Sequence, residues 1–374
     1  IFNQVKIKTL INHSIIMRII NIIDRLDKVN FGIWNAAIAT RSILKNKYGA
    51  TSELWFPKPV AHTEDLNLSD IIPREINPSK IPGIKFDKNT IIVSHGCWQY
   101  PTRWGYELKK LGFKWVYVPH GMLEPWCMSQ KRLKKYFYFQ LFEKRFAKNA
   151  NYVRAVGKPE YGNLKRNFKD VILIPNGTDI IPYSEKDWHT GIKQFLFLGR
   201  LHFKKGIIPL VKAWKKSSLY KSGKHKLVIV GPDDGELNKL KKELLSVSES
   251  DICYLGAIFG EEKNKILKES HFYVMPSYGE GFPTSVIESM QYGLIPLISE
   301  GCNFPEAFEN NLAIKIAPNE NEILPALEKA INVNNQEAKE WGFRAWEFVA
   351  NNYSLEKITG QQFELYSRLI TDSK

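Results

Sequence analysis

Cysteine is scarce in this sequence. Four residues of 374 (Cys97, Cys127, Cys253 and Cys302) form no C-x-x-C pair and have no histidine at metal-ligand spacing. That pattern excludes a disulfide framework or a thiolate metal site and points to free thiols in a reducing cytoplasm. Long apolar runs are also missing, since no stretch approaches the ~18 residues that a membrane span needs. The segment IIMRIINII (residues 15–23) is broken by Arg18 and Asn21 and has no small-residue cleavage site. It therefore predicts a buried strand rather than a signal peptide, and the residues before Met17 are expected to lie outside the fold. There is no D-x-D motif, no internal repeat and no low-complexity tract.

Acidic residues are short in one half only. Residues 1–190 hold 30 Lys and Arg against 16 Asp and Glu, whereas residues 191–374 hold 23 against 23, so the whole net charge of +14 belongs to the first half. Charge confined in this way suggests that one domain faces a polyanion or an anionic membrane surface.

Short apolar runs alternate with helix-like segments almost throughout. MRIINII, TSELWF, TIIVSH, WVYVPH and VILIP read as strands in the first half, and QFLFLG, KLVIVG, ICYLG, FYVMPS and LIPLIS in the second. Strands interleaved with helices imply parallel sheets covered on both faces. Two series of five predict an α/β chain of two tandem doubly wound, Rossmann-like domains facing a cleft. The Pro- and Gly-rich stretch around Pro175, Gly177 and Pro182 marks the join. The division expected is residues 1–186, residues 187–355, and a last helix over 356–374 that packs back on the first domain through Ile358, Phe363, Tyr366 and Ile370. In such sheets ligands bind beyond the carboxyl ends of strands, at the point where strand order reverses.

The segment PSYGEGFPTSVIESMQYG (residues 276–293) has that placement: strand end, turn, then a helix with Pro283 at its first position. The unpaired N–H groups of that first turn form an anion site, and Gly279 and Gly281 allow a ligand close to the main chain. Glu280 in the loop and Glu288 two turns along the helix have backbones up to ~12 Å apart. That span suits two grips on an extended molecule better than a hydrolytic carboxylate pair, which stands ~5–9.5 Å apart. In FLFLGRLHFKKG (residues 195–206), Arg200 and Lys205 can clamp a pyrophosphate, Arg by forked contacts and Lys as a point charge.

Together GRLHFKKG, PSYGEGFPTSVIESMQYG, PNGTD and PHGMLEPW resemble family 4 of the retaining glycosyltransferases of GT-B fold, and PHGMLEPW is similar to bacterial surface-polysaccharide and O-antigen enzymes of that family. The resemblance implies that Arg200 and Lys205 hold the donor diphosphate. It further implies that Glu280, with Gly281, Phe282, Pro283 and Thr284, holds the donor sugar and phosphate, and that Glu288 binds the ribose. By the same resemblance, His120 contacts the transferred sugar, Tyr254 and Ile258 border the base, and Gly32 meets the donor phosphate provided the first helix starts at Ile33. The implied reaction is metal-free transfer from a GDP- or UDP-sugar, with retention, to a glycan or lipid-linked acceptor, without a cofactor.

On the acceptor side, HGCWQYPTRWG (residues 95–105) offers His95, Trp98, Tyr100, Trp104 and Arg103, although tryptophans equally fill cores. Residues 131–149 carry seven basic residues, one acid and six aromatics. As a helix this places Tyr138, Phe142 and Phe146 on one stripe, giving either a core-facing helix with a solvated basic side or an amphipathic helix resting on anionic lipid. The second option implies a cytoplasmic protein peripheral on the inner membrane face. Two other readings are a sugar-nucleotide 2-epimerase on the same fold, for which no convincing proton-moving carboxylates are found, and a polyanion-binding protein. The latter lacks any nucleic-acid-binding signature, so no nucleic acid is expected as a partner.

Overall fold

The computed structural model describes residues 17–26, 31–57, 70–189 and 191–372. Among them the strands are β1 (Arg18–Ile22), β2 (Thr51–Phe56), β3 (Ile72–Glu75), β4 (Thr90–His95), β5 (Lys114–Val118), β6 (Tyr152–Ala155), β7 (Val171–Leu173), β8 (Lys193–Leu198), β9 (His225–Val230), β10 (Ile252–Tyr254), β11 (Phe272–Met275), β12 (Ile295–Ser299) and β13 (Ile314–Ile316). They form two sheets, ordered β3-β2-β1-β4-β5-β6-β7 and β10-β9-β8-β11-β12-β13. Every strand pairing is parallel. Helices cover both faces, giving two Rossmann-like domains. The order reverses between β1 and β4 in the first sheet and between β8 and β11 in the second.

The parallel arrangement explains why the central strands read as unbroken apolar runs. All six residues of β4 are buried, with Ile91 and Val93 in one core cluster and Ile92 in the other. On β5 the small Val116 and Val118 face the first of these, and Trp115 and Tyr117 the second. Three strands lack that signal. β3 is an exposed edge with Pro73 inside it, a position where a missing N–H is tolerated. β6 carries the charged Arg154, and β13 is only three residues long.

The chain leaves the first sheet after β7 through PNGTD, where Thr178 N donates to Tyr353 O at 2.8 Å and Leu355 N donates to Thr178 O at 2.9 Å. Outgoing and returning segments thus cross side by side. The helix Leu355–Thr371, capped by the Ser354 hydroxyl, then lies on the first domain. Its Ile358, Leu365, Tyr366 and Leu369 are buried with Met17, Ile19, Ile91, Val93, Val116 and Val118, and Phe363 stacks on Tyr48 at 4.1 Å. At about 1.5–3 kcal/mol for each large apolar side chain buried, this contact far exceeds what a helix cap supplies.

Residues 131–149 are not one regular helix. Arg132–Tyr138 and Lys144–Ala147 flank a π turn at Phe139–Glu143. The inward positions are Phe139, Glu143 and Ala147, so the Tyr138, Phe142 and Phe146 stripe expected from the spacing lies beside the buried line. Leu133, Phe137 and Leu141 project into solvent, at 73%, 59% and 59% exposure. Among the described residues no helix is long and apolar enough to cross a membrane.

Candidate active site

After β8 the chain makes a short turn, Phe203–Lys205, and passes through Gly206 at φ +69°. A Cβ there would sit 2.1 Å from the Pro276 carbonyl oxygen, so only glycine lets this turn press against the β11 loop. The approach brings Lys205 Nζ to 2.9 Å from Glu280 Oε2, with both side chains mostly buried. Glu280 is held on every side. Its N–H donates to Gly301 O at 2.6 Å, its Oε1 accepts from the Ser277 hydroxyl at 2.5 Å, and its carbonyl accepts from the Asn303 amide. Burial pushes the Glu280 carboxyl up, but Lys205, Lys204 and the Ser277 hydroxyl outweigh it and hold the group below its ordinary range.

The opposite wall comes from the turn after β5. His120 and Gly121 both have positive φ, +53° and +74°. A Cβ on Gly121 would lie 2.2 Å from Gly281 Cα, and one on Gly281 would lie 2.5 Å from His120 O. The two domains therefore touch main chain to main chain, with His120 beside the Glu280–Gly281 segment. Glu160, on the helix Lys158–Lys165, fixes this turn by accepting from Gly121 N at 2.5 Å and Val156 N at 2.8 Å. Burial raises its carboxyl to about 7.

Behind His120 lies His95, the last residue of β4. Its Nδ1 is 2.9 Å from His120 Nε2, and its Nε2 is 3.1 Å from Asn21 Oδ1. Because the Asn21 amide nitrogen donates to Glu53 O, its oxygen is the atom that faces His95. His95 must then carry its proton on Nε2 and accept at Nδ1, which makes His120 the Nε2–H tautomer with a free lone pair at Nδ1. Burial, and then the charge of Arg154, press His120 down to about 3. Burial lowers His95 as well, with His120 and Arg154 adding to it. Both rings are therefore neutral at ordinary pH.

Other expected site residues are placed as follows. Arg200 pairs with Asp234 at 2.6 Å on the exposed rim, and Glu288 pairs with Lys263 at 2.5 Å. The two glutamates therefore hold separate cations and are not a couple. Pro283 caps the helix Thr284–Gln291 rather than opening it, leaving Thr284 exposed as the first helical residue. Phe282 packs against the cores of both domains. Tyr254 donates its hydroxyl to Gly231 O at 3.0 Å, and Ile258 packs on the second core. Gly32 lies in the first turn of a helix that begins at Phe31, not Ile33, and a Cβ on it would meet nothing within 4 Å.

The acceptor-side expectation is corrected at two positions. His95 is buried and reaches a ligand only through His120, and Trp104 is a core residue. Trp98 packs edge-on against Tyr138, Tyr100 against Trp104, and the exposed Arg103 donates to the Tyr138 hydroxyl at 3.2 Å.

Sequence reading missed Asn21, Arg154, Glu160, Ser277 and Asn303. Arg154 is fully buried and donates to Ile174 O and Pro175 O, pinning the PNGTD crossover. A usable signal existed for Asn303, which follows β12 in a Gly-Cys-Asn turn next to the Glu280 loop. Among the described residues no group of three or more His, Cys, Asp or Glu side chains is arranged to hold a metal ion.

Residues 184–345 match the family described as glycosyl transferases group 1. Over 284 residues the chain is 28% identical to an uncharacterized glycosyltransferase of Methanocaldococcus jannaschii, covering 71% of this chain and 72% of that one. These matches support a glycosyltransferase. A GDP-mannose:cellobiosyl-diphosphopolyprenol alpha-mannosyltransferase of Xanthomonas oryzae pv. oryzae is 28% identical over 130 residues, 34% of each chain. The crystal structure of Anabaena HepE in complex with UDP and glucose superposes with TM-score 0.76 at 15% identity, covering 94% of this chain and 99% of that one. The lipopolysaccharide-biosynthesis glycosyltransferase WaaG superposes with TM-score 0.64 at 12% identity, covering 93% and 99%. The chain thus has the GT-B fold.

Proposed function

We infer that this chain transfers a hexosyl group, with retained configuration, from a UDP- or GDP-linked sugar to a hydroxyl of a glycan or lipid-linked acceptor in surface polysaccharide synthesis. The observation that carries this reading is the Lys205–Glu280 pair at the strand-order reversal, facing His120 across the Gly121–Gly281 contact. A buried cation and a buried carboxylate pair there, and the main chain of His120, whose imidazole is neutral, abuts the neighbouring Gly281. These groups suit a substrate that is anionic at one end and hydroxylated at the other.

In this mechanism the acceptor hydroxyl attacks the anomeric carbon as its bond to the diphosphate oxygen breaks. The hydroxyl proton passes to the departing phosphate. Lys205 and Arg200 stabilise the charge on that phosphate, and the positive end of the helix Thr284–Gln291 adds its dipole. These cations supply the compensation that a metal gives elsewhere. Glu280 receives sugar hydroxyls, Glu288 the ribose, Tyr254 and Ile258 border the base, and His120 orients the transferred ring. Gly32 and the acceptor-side Trp98, Tyr100 and Arg103 belong to the same proposal, with His95 acting only through His120. The Xanthomonas relative named for a GDP-mannose donor and a diphosphopolyprenol acceptor favours this substrate class.

The apolar ridge of Leu133, Phe137 and Leu141 among Lys131, Arg132, Lys134 and Lys135 is the proposed contact with an anionic membrane, at its cytoplasmic face. No nucleic acid is part of this reading, and no observation favours an isomerase. A thermal-shift panel of UDP, GDP and ADP tests the donor, since product binding stabilises the fold by mass action. A donor screen with lipid-linked acceptor then tests transfer, and unaltered turnover in both Glu280→Ala and Arg200→Ala would falsify the site assignment.

A further inference from the structure

Glu124 and Trp126 of the PHGMLEPW segment take no part in the arrangement above, yet they line a cavity of about 280 Å³ between the domains. Its far wall is Gly279, Glu280 and Asn303 from the β11 and β12 loops. Glu124 is 94% buried, from an exposure of 6%. Its Oε2 accepts from the Asn163 amide at 3.0 Å, and its Oε1 has no partner. A buried carboxylate oxygen without a donor is a lasting cost unless something supplies one. Burial also raises the Glu124 carboxyl, with Asn163 opposing.

Trp126 reaches across the cleft. A Cβ on Gly279 would come within 3.1 Å of it, and Lys204 Nζ lies 4.8 Å from its ring centroid. Two side-chain amides, two carboxylates and an indole surround the space, and its lining includes no lysine or arginine. An anion is therefore disfavoured inside it, while the cations that suit a diphosphate stand outside at Lys205 and Arg200. The volume is at the small end of ligand pockets, which fits one ring rather than a nucleotide.

We propose that this cavity is a subsite for a single neutral pyranose ring, with the Glu124 carboxylate turning its unpartnered oxygen toward the space to accept from a ring hydroxyl and Trp126 packing against the ring. It rests on the glycosyltransferase reading and names part of that substrate. The ring belongs either to the donor or to the acceptor, and its chemistry is the same in both cases.

Cys127 lines the same cavity and is partly exposed, so its alkylation reports locally, with the partly exposed Cys253 outside the cavity as internal standard. The full chain is treated with iodoacetamide in the presence of methyl α-D-mannopyranoside, methyl α-D-glucopyranoside or sodium glucuronate at tens of millimolar, and each cysteine is read by mass spectrometry. Slowing of Cys127 labelling by several-fold with a neutral glycoside, little effect of glucuronate, and loss of protection in Glu124→Ala and Trp126→Leu are expected.

UDP-glucose or GDP-mannose protecting better than UDP or GDP assigns the ring to the donor. Protection by glycoside that adds to that of the nucleotide sugar assigns it to the acceptor. Unchanged Cys127 labelling on protein that UDP or GDP still stabilises overturns the subsite and leaves the proposed function standing. Protection that survives Glu124→Ala, or equal protection by glucuronate, also overturns it. Glycoside protection without stabilisation by UDP, GDP or ADP keeps the subsite and removes the nucleotide-sugar reading.

Discussion

His95 accepts a hydrogen bond from His120 rather than donating one, because Asn21, on the far side of the His95 ring, presents its carbonyl oxygen. Replacing Asn21→Asp keeps an acceptor there but adds a negative charge that favours a protonated His95. The His95 Nδ1–H would then donate to His120 and drive the His120 proton to Nδ1. Nitrogen-15 histidine spectra should show His120 switching from the Nε2–H to the Nδ1–H form. Turnover should drop by roughly tenfold, the factor equivalent to about 1.4 kcal/mol of misdirected hydrogen bonding. An unchanged His120 tautomer in the variant would refute the relay.

Lys205→Ala should be costly well beyond an exposed ion pair. The partner left behind is a mostly buried carboxylate, and breaking such a pair costs about 3 kcal/mol or more, against less than about 1 kcal/mol at the surface. The depressed Glu280 value means that its contribution to stability is present above the unfolded carboxylate range and is lost as pH falls through the folded value. Urea denaturation of Lys205→Ala should therefore show a lower midpoint at pH 7 and a smaller acid loss than the parent. Lys205→Met with Glu280→Gln should regain much of the stability without regaining turnover.

Glu160 has the opposite sign. Its carboxyl is raised from 4.5 to about 7, so the stability it contributes is full below 4.5 and is lost as pH rises through about 7. That difference corresponds to about 3 kcal/mol. Measured from pH 5 to pH 8, the urea midpoint of Glu160→Gln should lack this downward component. Equal slopes in parent and variant would count against it. The variant should also lose activity, because an amide nitrogen cannot accept from Gly121 or Val156.

The solvent-facing ridge predicts a separable membrane contact. Leu133→Ser, Phe137→Ser and Leu141→Ser together remove apolar area worth roughly 1.5–3 kcal/mol per side chain. Sedimentation with phosphatidylglycerol vesicles should fall by well over tenfold while the melting temperature holds, and high salt should weaken what binding remains. Vesicle binding equal to that of the parent would exclude the ridge as the contact.

Much of the fold was legible in the sequence because both sheets are parallel and covered on both faces, which turns central strands into apolar runs ending at glycine, proline or histidine. The same property hid His95. With every residue of β4 buried there is no alternation to tell a cleft-facing end from a buried one. Glu280 and Lys205 were readable because each follows a strand in a glycine-bearing turn. Glu160, Arg154 and Asn21 were not, because their roles depend on contacts with distant loops. A charged residue buried to hold main chain in place looks, in one dimension, like any surface charge. The π turn at Phe139–Glu143 was hidden for a similar reason: its buried Glu143 accepts from Trp98 N, Thr102 and Tyr117, and nothing local marks it.

The returning helix Leu355–Thr371 has a consequence for biosynthesis. One face of the first sheet is sealed by Ile358, Leu365, Tyr366 and Leu369, which the ribosome delivers only after the whole second domain. Until then Ile19, Ile91, Val93 and Val116 present an open apolar face on a domain whose strands are already made. The second domain has its own core and can close first. Nascent chains of this protein should therefore complete their domains in the reverse of the order of synthesis, with the early half depending on chaperone shelter until the last helix arrives.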